Sequence, residues 1–313
     1  MTELDLTAVR TRLGRIGAHL PFIPFTPAVP AAEQIEATRR WERAGVSTVW
    51  INEGVGGKDI LAQAGILLSA TEEVTIATGI ANVWARPPQT AGGGSASLSE
   101  AFDGRFVLGV GVGYPEQADV IGRTFTRPLE IARGYLDRLD DVVAMSPAPE
   151  VRVPRLLAAN GPRMLGVARD HADGAIPTLV PPAFTERTRR FLGPDKVLAV
   201  GLTIAVDDDA EVARRMVGDF AARVLGHPDS PYADNLIRLG YRADELSTPS
   251  DRVIEDLFGF GPPGAIAEAI DRHLHAGADH VWLSSTAPDF ATSVTQIESV
   301  VGTLTAQGRY TSV

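Results

Sequence analysis

The chain has 313 residues, a formal net charge of −10 and no cysteine. The length fits one large domain, the negative charge argues against a nucleic-acid binder, and the lack of cysteine excludes disulfides and thiolate chemistry. The first residues lack the apolar core of a signal peptide, and no apolar run reaches the roughly 18 residues of a membrane span, so we expect a cytoplasmic protein that binds neither nucleic acid nor membrane.

Short apolar runs alternate with amphipathic stretches along most of the chain. We interpret as strands the runs 16–20, 48–52, 74–80, 106–111, 155–159, 174–178, 197–206 and 281–285. We interpret as helices the stretches 31–44, 127–144, 162–171, 183–192, 210–225, 264–276 and 293–304, together with one that Asp59 caps. A segment with three glycines at 92–94 is expected to be poorly helical.

The number and composition of these runs predict the fold class. The strand runs are apolar rather than alternating, which is typical of a parallel sheet covered on both faces. This pattern also fits a doubly wound open sheet, but about eight strand–helix units favour a closed (β/α)8 barrel of the TIM type, formed by 1–313 as one domain. The polar, proline-rich segment 226–261, with a short helix at 232–239, is expected to be an insertion before the last unit. Whether it is a lid, a binding loop or a dimer contact stays open.

A barrel of this type carries its active site where the strands end and the next loops begin. His19 and Glu53 are the titrating side chains at two of these positions, and both are candidate catalytic residues. Glu53 would equally fit a solvated loop residue, and His19 a packed, hydrogen-bonded side chain. No metal is expected, and a serine nucleophile lacks support, because the chain has no HExxH, no GxSxG and no other clustered ligand spacing.

Two glycine-containing turns at strand ends predict a ligand site. The strand 106–111 leads into the loop 111–113, where a bound group can approach the backbone closely. A dinucleotide fingerprint would need glycine in place of Tyr114, so the loop either serves another ligand or only turns the chain. The segment 160–164 opens a helix whose free N–H groups, with Arg163, fit a phosphate or carboxylate; a helix cap beside a surface arginine is the alternative.

Four segments together resemble the bacterial luciferase-like superfamily. They are WERAGVSTVWINE (41–53), VTIATGIANVWARPP (74–88), FDGRFVLGVGVGYP (102–115) and AANGPRMLGVARDHADGAI (158–176). The likeness is strongest to the actinobacterial oxidoreductases that use the deazaflavin F420, and it covers about 16–285. It implies a TIM-type barrel, a homodimer, a small-molecule substrate and a cofactor ring in the open end of the barrel.

The resemblance also implies roles for particular residues. In relatives a non-proline cis peptide bond ends the third strand and backs the deazaflavin ring, and by position this bond would join Gly79 to Ile80. The residues expected near the ring, or near the cofactor tail and its phosphate, are Gly79, Ile80, Gly111, Val112, Gly113, Asn160, Gly161, Arg163, Met164 and Thr178.

The chain departs from the sugar-phosphate dehydrogenases of this superfamily. Glu53 matches their acidic residue after the second strand, but Gly54 replaces the histidine that follows, and Tyr114 replaces a glutamate. A sugar-phosphate substrate is therefore not expected. The aromatic side chains of Phe22, Trp84 and Tyr114 would instead form an apolar wall for the substrate.

Four functions are consistent with these observations. The first is an F420-dependent oxidoreductase that moves a hydride between the reduced deazaflavin and a small apolar carbonyl, alcohol or enone. The second is an FMN-dependent monooxygenase on the same fold, which would use molecular oxygen. The third is a non-catalytic flavin or F420 carrier. The fourth is an unrelated barrel lyase or isomerase, which would need a lysine or a paired acid and base at the open end of the barrel, and no strand ends in a lysine.

Overall fold

The computed structural model describes residues 4–21, 29–139, 141, 150–227 and 230–309. Within them the strands are β1 (Ile16–His19), β2 (Thr48–Ile51), β3 (Thr75–Thr78), β4 (Ala81–Asn82), β5 (Phe106–Gly111), β6 (Arg155–Ala158), β7 (Gly174–Ile176), β8 (Val197–Val206), β9 (Phe258–Gly261) and β10 (His280–Ser285). The helices are α1 (Leu6–Leu13), α2 (Ala31–Arg43), α3 (Ile60–Ser69), α4 (Pro88–Ala101), α5 (Pro115–Asp119), α6 (Pro128–Asp137), α7 (Pro162–His171), α8 (Pro182–Leu192), α9 (Ala210–Leu225), α10 (Pro231–Arg238), α11 (Ala243–Ser247), α12 (Asp251–Leu257), α13 (Pro263–His275) and α14 (Phe290–Ala306). None of these described helices is both long enough and apolar enough to cross a membrane.

Eight parallel strands close into a barrel. Their order is β1-β2-β3-β5-β6-β7-β8-β10, and the ring closes because β10 pairs both with β8 and with β1. Trp282 lies at this closure, opposite Gly17 on one side and Gly201 on the other. The short β4 pairs with β5, and β9 pairs with the second half of β8. The predicted (β/α)8 barrel is confirmed, and the open doubly wound sheet is ruled out.

The barrel interior is filled by large rings that pack against glycines. Trp50 and Trp282 stack with their ring centroids 5.7 Å apart, and the Trp50 Nε1–H donates to His280 Nε2 at 2.9 Å. A Cβ on Gly17 would lie 2.5 Å from His280 Nε2, and a Cβ on Gly201 would lie 2.4 Å from Trp282 Cζ2. Glycine is therefore required where these two strands face the rings.

Helix α1 covers the N-terminal end of the barrel. Its Val9 and Leu13 pack with Trp50 in the interior core. Arg10 anchors the helix, since its Nε lies 3.0 Å from a carboxylate oxygen of Asp279 and its guanidinium donates to a backbone carbonyl at 3.1 Å. A ligand therefore reaches the interior from the opposite end, where the strands terminate.

The glycine-rich segment at 92–94 is helical, contrary to the prediction. It lies within α4, which has proline in its first turn and buries Ala91, Ser95 and Ser99 on one face. These three positions are four residues apart, so they form a single stripe on the helix. Packing of that stripe outweighs the low intrinsic helix propensity of glycine.

The helix predicted over 127–144 is shorter than its sequence pattern indicates. Its first residue is Pro128, and it ends at Asp137, after which residues 138–139 form a turn. Residue 140 and residues 142–144 of the predicted span lie outside the described residues.

The segment 226–261 is more regular than its polar composition predicts. The short helix expected at 232–239 is present as α10, but α11, α12 and β9 are not evident from the sequence. Leu236, Leu246 and Val253 pack against Val217 of α9 in an apolar core of their own. Because each helix is short and contributes few apolar side chains, periodicity does not reveal them. We refer to 226–261 as the insertion.

Candidate active site

The strand-end residues chosen from the sequence gather at one end of the barrel, because the barrel strands are parallel and end on the same side. We call this end the mouth. The described residues there are His19, Asn52, Glu53, Gly79, Ile80, Trp84, Gly111, Val112, Gly113, Tyr114, Asn160, Gly161, Arg163, Met164 and Thr178. Phe22, the remaining predicted substrate contact, lies outside the described residues.

His19 lies at the floor of the mouth and is neutral at physiological pH. Its Nε2–H donates to Asn52 Oδ1 at 2.8 Å, and its ring packs against Trp282 with centroids 5.4 Å apart. Burial lowers the pKa of His19 to about 4, and the hydrogen bond to Asn52 offsets this only in part. Nδ1 then carries a lone pair, and this buried atom has no hydrogen-bond partner among the described residues. The floor of the mouth is therefore polar but uncharged.

Acid is expected to destabilise the protein through His19. Its pKa of about 4 in the folded state lies below the ordinary value of 6.5, so the unfolded chain binds more protons between these two values. The stability contributed by the neutral ring is complete above pH 6.5 and is lost as the pH falls toward 4, at roughly 1.4 kcal/mol per pH unit. Urea unfolding at a series of pH values in this range, with wild type and His19→Gln, measures the effect. The slope of the free energy of unfolding against pH should be lower in the variant by about one proton. Equal slopes in the two proteins would contradict the lowered pKa of His19.

Ile80, Gly111 and Ala158 form an apolar cradle next to this floor. The Gly79–Ile80 peptide bond is cis, at the position that the resemblance implies. A Cβ on Gly111 would lie 3.0 Å from Ile80 Cδ1 and 3.2 Å from Ala158 Cβ, so glycine is needed for these two side chains to pack this closely. Gly111 is buried beneath them, whereas Ile80 and Ala158 are only partly buried and present an apolar surface at the mouth.

Glu53 is not a free carboxylate. It is buried, and both of its oxygens are bound by Arg86, with Oε2 accepting from Nη1 at 2.9 Å and Oε1 accepting from Nη2. Oε2 also accepts the backbone N–H of Asn82 at 2.8 Å, and Arg86 donates to Asp59 at 2.9 Å. Burial opposes the charge of Arg86, but hydrogen bonds and attraction from the two carboxylates raise its pKa. Glu53 is therefore half of a buried ion pair that positions the chain after β3, and its role as an acid or base stays a prediction.

The loop after β5 is held by hydrogen bonds from the segment that follows β3. Asn82 Nδ2 donates to Gln117 Oε1 at 2.8 Å, and Trp84 Nε1 donates to the Val112 carbonyl at 2.7 Å. Gly113 has a φ of 57°, and a Cβ there would lie 2.0 Å from Gln117 Oε1, so this turn requires glycine. Trp84 is a buried support of the loop, and its contact with a substrate stays a prediction.

Asn160 joins the loops after β6 and β7. Its side chain donates to the Thr178 carbonyl at 2.8 Å and accepts the Thr178 N–H at 3.2 Å. Gly161 precedes α7 without a side-chain cap, so the first N–H groups of this helix have no partner from a capping residue. Arg163 in the first turn is exposed, whereas Met164 packs against the main core. The turn thus offers free donors beside an exposed cation, and Asn160 and Met164 support it from within.

The insertion contacts three loops of the mouth. The hydroxyls of Tyr232 on α10 and Tyr114 after β5 are hydrogen-bonded at 2.9 Å. At the other end of α10, Arg238 approaches the loop after β6. Its Nη2 lies 3.6 Å from the point that a Cβ would occupy on Gly161 in that loop. Leu179, after β7, packs into the apolar core of the insertion. The insertion therefore covers one side of the mouth.

Several residues that build this site are missed by sequence reasoning. The sequence does carry a signal for Trp282. Side chains alternate between the two faces of a strand, so the residues on either side of Trp282 in β10 lie on the opposite face from its ring. No comparable signal exists for Arg86, whose partner Glu53 lies far away in the chain. Tyr232 and Arg238 reach the mouth only through the packing of the insertion, which periodicity does not encode.

The chain is similar to proteins of known family. A family model for luciferase-like monooxygenases matches residues 15–280. A 5,10-methylenetetrahydromethanopterin reductase of Methanolobus tindarius is 27% identical over 151 residues, which are 43% of this chain and 46% of that protein. A Mycobacterium tuberculosis protein named as a coenzyme F420-dependent oxidoreductase is 24% identical over 274 residues, which are 72% of this chain and 78% of that protein.

The fold has a counterpart of known structure. The coenzyme F420-dependent tetrahydromethanopterin reductase from Methanopyrus kandleri superposes with a TM-score of 0.71 at 18% identity, and the alignment covers 92% of this chain and 98% of that one. The family match over residues 15–280 shows that this chain belongs to the luciferase-like monooxygenase family of flavin- and deazaflavin-dependent oxidoreductases.

Proposed function

We propose that the protein is an F420-dependent oxidoreductase that moves a hydride between the deazaflavin and a small apolar carbonyl, alcohol or enone. The observation that carries this proposal is the cradle, in which partly buried Ile80 and Ala158 close over buried Gly111 and leave no room for a Cβ. A flat tricyclic ring would stack on an apolar surface of this kind. The names of the Mycobacterium tuberculosis relative and the Methanopyrus kandleri structure favour F420 over FMN.

The residues of the chain have distinct tasks in this proposal. When bound, the deazaflavin supplies or accepts the hydride. The free N–H groups at the start of α7, with Arg163, hold the phosphate of the cofactor. Neutral His19 adds a polar atom but no charge to the floor, which suits a neutral substrate. Trp50 and Trp282 fill the barrel beneath it and keep water from the reacting face.

An FMN-dependent monooxygenase is the alternative function, and the description of the family favours it. FMN has the same tricyclic shape and a phosphorylated ribityl arm, so the cradle and the turn at 160–163 fit both cofactors. Molecular oxygen would be the second substrate of such an enzyme.

Titration of the purified protein with F420 and, separately, with FMN tests the proposal. We expect tight, saturable F420 binding and weak FMN binding. Calorimetry or the fluorescence of the ligand measures both. Gly111→Ala should weaken binding of either ring about tenfold, since the new methyl group must displace Ile80 or Ala158. Gly93→Ala, where a Cβ meets no described residue within 4 Å, is the matched control and should bind as wild type.

The other outcomes of this titration are equally informative. Preference for FMN would transfer the protein to the monooxygenase function, and oxygen consumption would be measured next. If neither cofactor binds, the proposed function is wrong although the fold is shared.

A further inference from the structure

We propose that Arg238, supplied by the insertion, binds the anionic tail of F420 beyond its ribityl arm and thereby selects F420 over shorter cofactors. This inference rests on the proposed function. It assigns a specificity-determining residue to a segment that lies outside the repeated strand–helix units of the barrel.

The position of Arg238 is the first argument. It is the last residue of α10, and its Nη2 is the atom nearest to a Cβ built on Gly161, at 3.6 Å. Among the described residues, apart from the chain neighbours of Gly161, no other heavy atom lies within 4 Å of that point, so the guanidinium is the nearest group to the space above Gly161. A group that lies along this turn therefore meets Arg238 first.

The attachment of α10 is the second argument. The Tyr232 hydroxyl is hydrogen-bonded to Tyr114 at 2.9 Å, which fixes the start of the helix on the loop after β5. Leu236, in the middle of the helix, is completely buried in the core of the insertion. The helix that carries Arg238 is thus held beside the mouth by two contacts that precede this residue in the chain.

The charge of Arg238 is the third argument. Its guanidinium forms no hydrogen bond or ion pair with any described residue, although Asp234 lies one turn earlier on the same helix. Arg163, two residues after Gly161, is likewise exposed and unpaired among the described residues. Two uncompensated cations flank the same turn, in a chain whose formal net charge is −10. They are suited to an extended anion rather than to a single neutral group.

The chemistry of the cofactors turns this placement into selectivity. F420 carries a phosphodiester to a lactyl group and then a chain of glutamates, whereas FMN ends at its phosphate and the deazaflavin core FO lacks even that. Arg163 and the free N–H groups of α7 are sufficient for one phosphate. Arg238 provides a second cation, which only the carboxylates of the longer tail require.

The test compares F420 with FO on the full-length protein. Arg238→Gln is expected to weaken F420 binding about fivefold at low salt and to leave FO binding unchanged. Arg238→Lys should restore most of the loss, because a tail carboxylate accepts from a point charge as well. Arg242→Gln, in the same insertion but paired with Asp244 on the surface, makes the same change of net charge and should bind F420 as wild type. The difference between wild type and Arg238→Gln should disappear at high ionic strength.

Each remaining outcome separates this inference from the proposed function. If the wild type binds F420 tightly and Arg238→Gln binds it equally well, Arg238 does not contact the tail, and the proposed function stands. If Arg238→Gln weakens the binding of F420 and of FO equally, Arg238 acts through the shape of the mouth, and this also overturns the inference. If the wild type binds neither F420 nor FO, the proposed function fails first.

Discussion

Replacing Glu53 with glutamine is expected to destabilise the fold by about 3 to 5 kcal/mol, because it leaves the buried guanidinium of Arg86 without its main counter-charge. Arg86 and Glu53 are 9% and 3% exposed at their side chains, so water cannot take over the lost interaction. Glutamine also supplies one acceptor where the carboxylate serves two guanidinium nitrogens and the Asn82 N–H. Urea unfolding of wild type and variant at neutral pH measures the change.

A matched control is available at the same guanidinium. Asp59 also accepts from Arg86, but its side chain is 56% exposed, so Asp59→Asn should cost below about 1 kcal/mol. The double variant Glu53→Gln with Arg86→Gln should lose less than the sum of the two single changes, since each single change leaves the other charge unpaired. A Glu53→Gln protein with wild-type stability and abolished turnover would contradict the positioning role and would restore Glu53 as an acid or base.

Gly109→Ala is expected to cost about 3 kcal/mol or more, because β3 and β5 approach each other too closely for a methyl group. A Cβ at this position would lie 1.9 Å from the Thr78 carbonyl oxygen and 2.6 Å from Ile176 Cδ1. The first of these atoms belongs to the backbone and is fixed by reciprocal hydrogen bonds between Thr78 Oγ1 and the backbone of Gly109, at 2.7 and 2.8 Å. The strands would have to separate, and the loss should appear in the free energy of unfolding.

Gly166 provides the control for this substitution. It lies within α7, and in the part of the chain that the structure describes no atom lies within 4 Å of a Cβ built there. Gly166→Ala should therefore stabilise the protein by roughly 0.5 to 1 kcal/mol, through helix propensity alone. Similar effects of the two substitutions would show that the space around Gly109 is not as closed as the structure indicates.

The barrel is predictable from the sequence because its signals are local and repeated. Each barrel strand is an apolar run, and the following glycine or polar residue marks the mouth, so His19, Gly111 and Thr178 fall at one end by topology alone. The helix over 92–94, together with α11 and α12 of the insertion, escapes prediction because its stability comes from tertiary packing, which outweighs weak propensity. The insertion shows this most clearly, since its core is shared with α9 and Leu179.

The candidate site is only partly predictable, for a different reason. Position at a strand end shows that Glu53 lies near the mouth, but not that Arg86 neutralises it from 33 residues away. Whether a carboxylate is a free base or half of an ion pair depends on contacts that carry no periodic signature. The same holds for His19, whose burial and pairing with Asn52 determine its charge.

The closure of the barrel by β10 has a consequence for the order in which the chain is made. β1 obtains its second neighbour only when β10 pairs with it, and β10 is also the partner of β8. On the ribosome β1 emerges before all the other strands of the barrel and β10 after them. Until translation has passed Ser285, the nascent chain therefore exposes the edges of β1 and β8 to other chains. Translation that stops before residue 280 yields an open sheet prone to aggregation, and the histidine at the floor of the mouth then has no tryptophan ring to pack against.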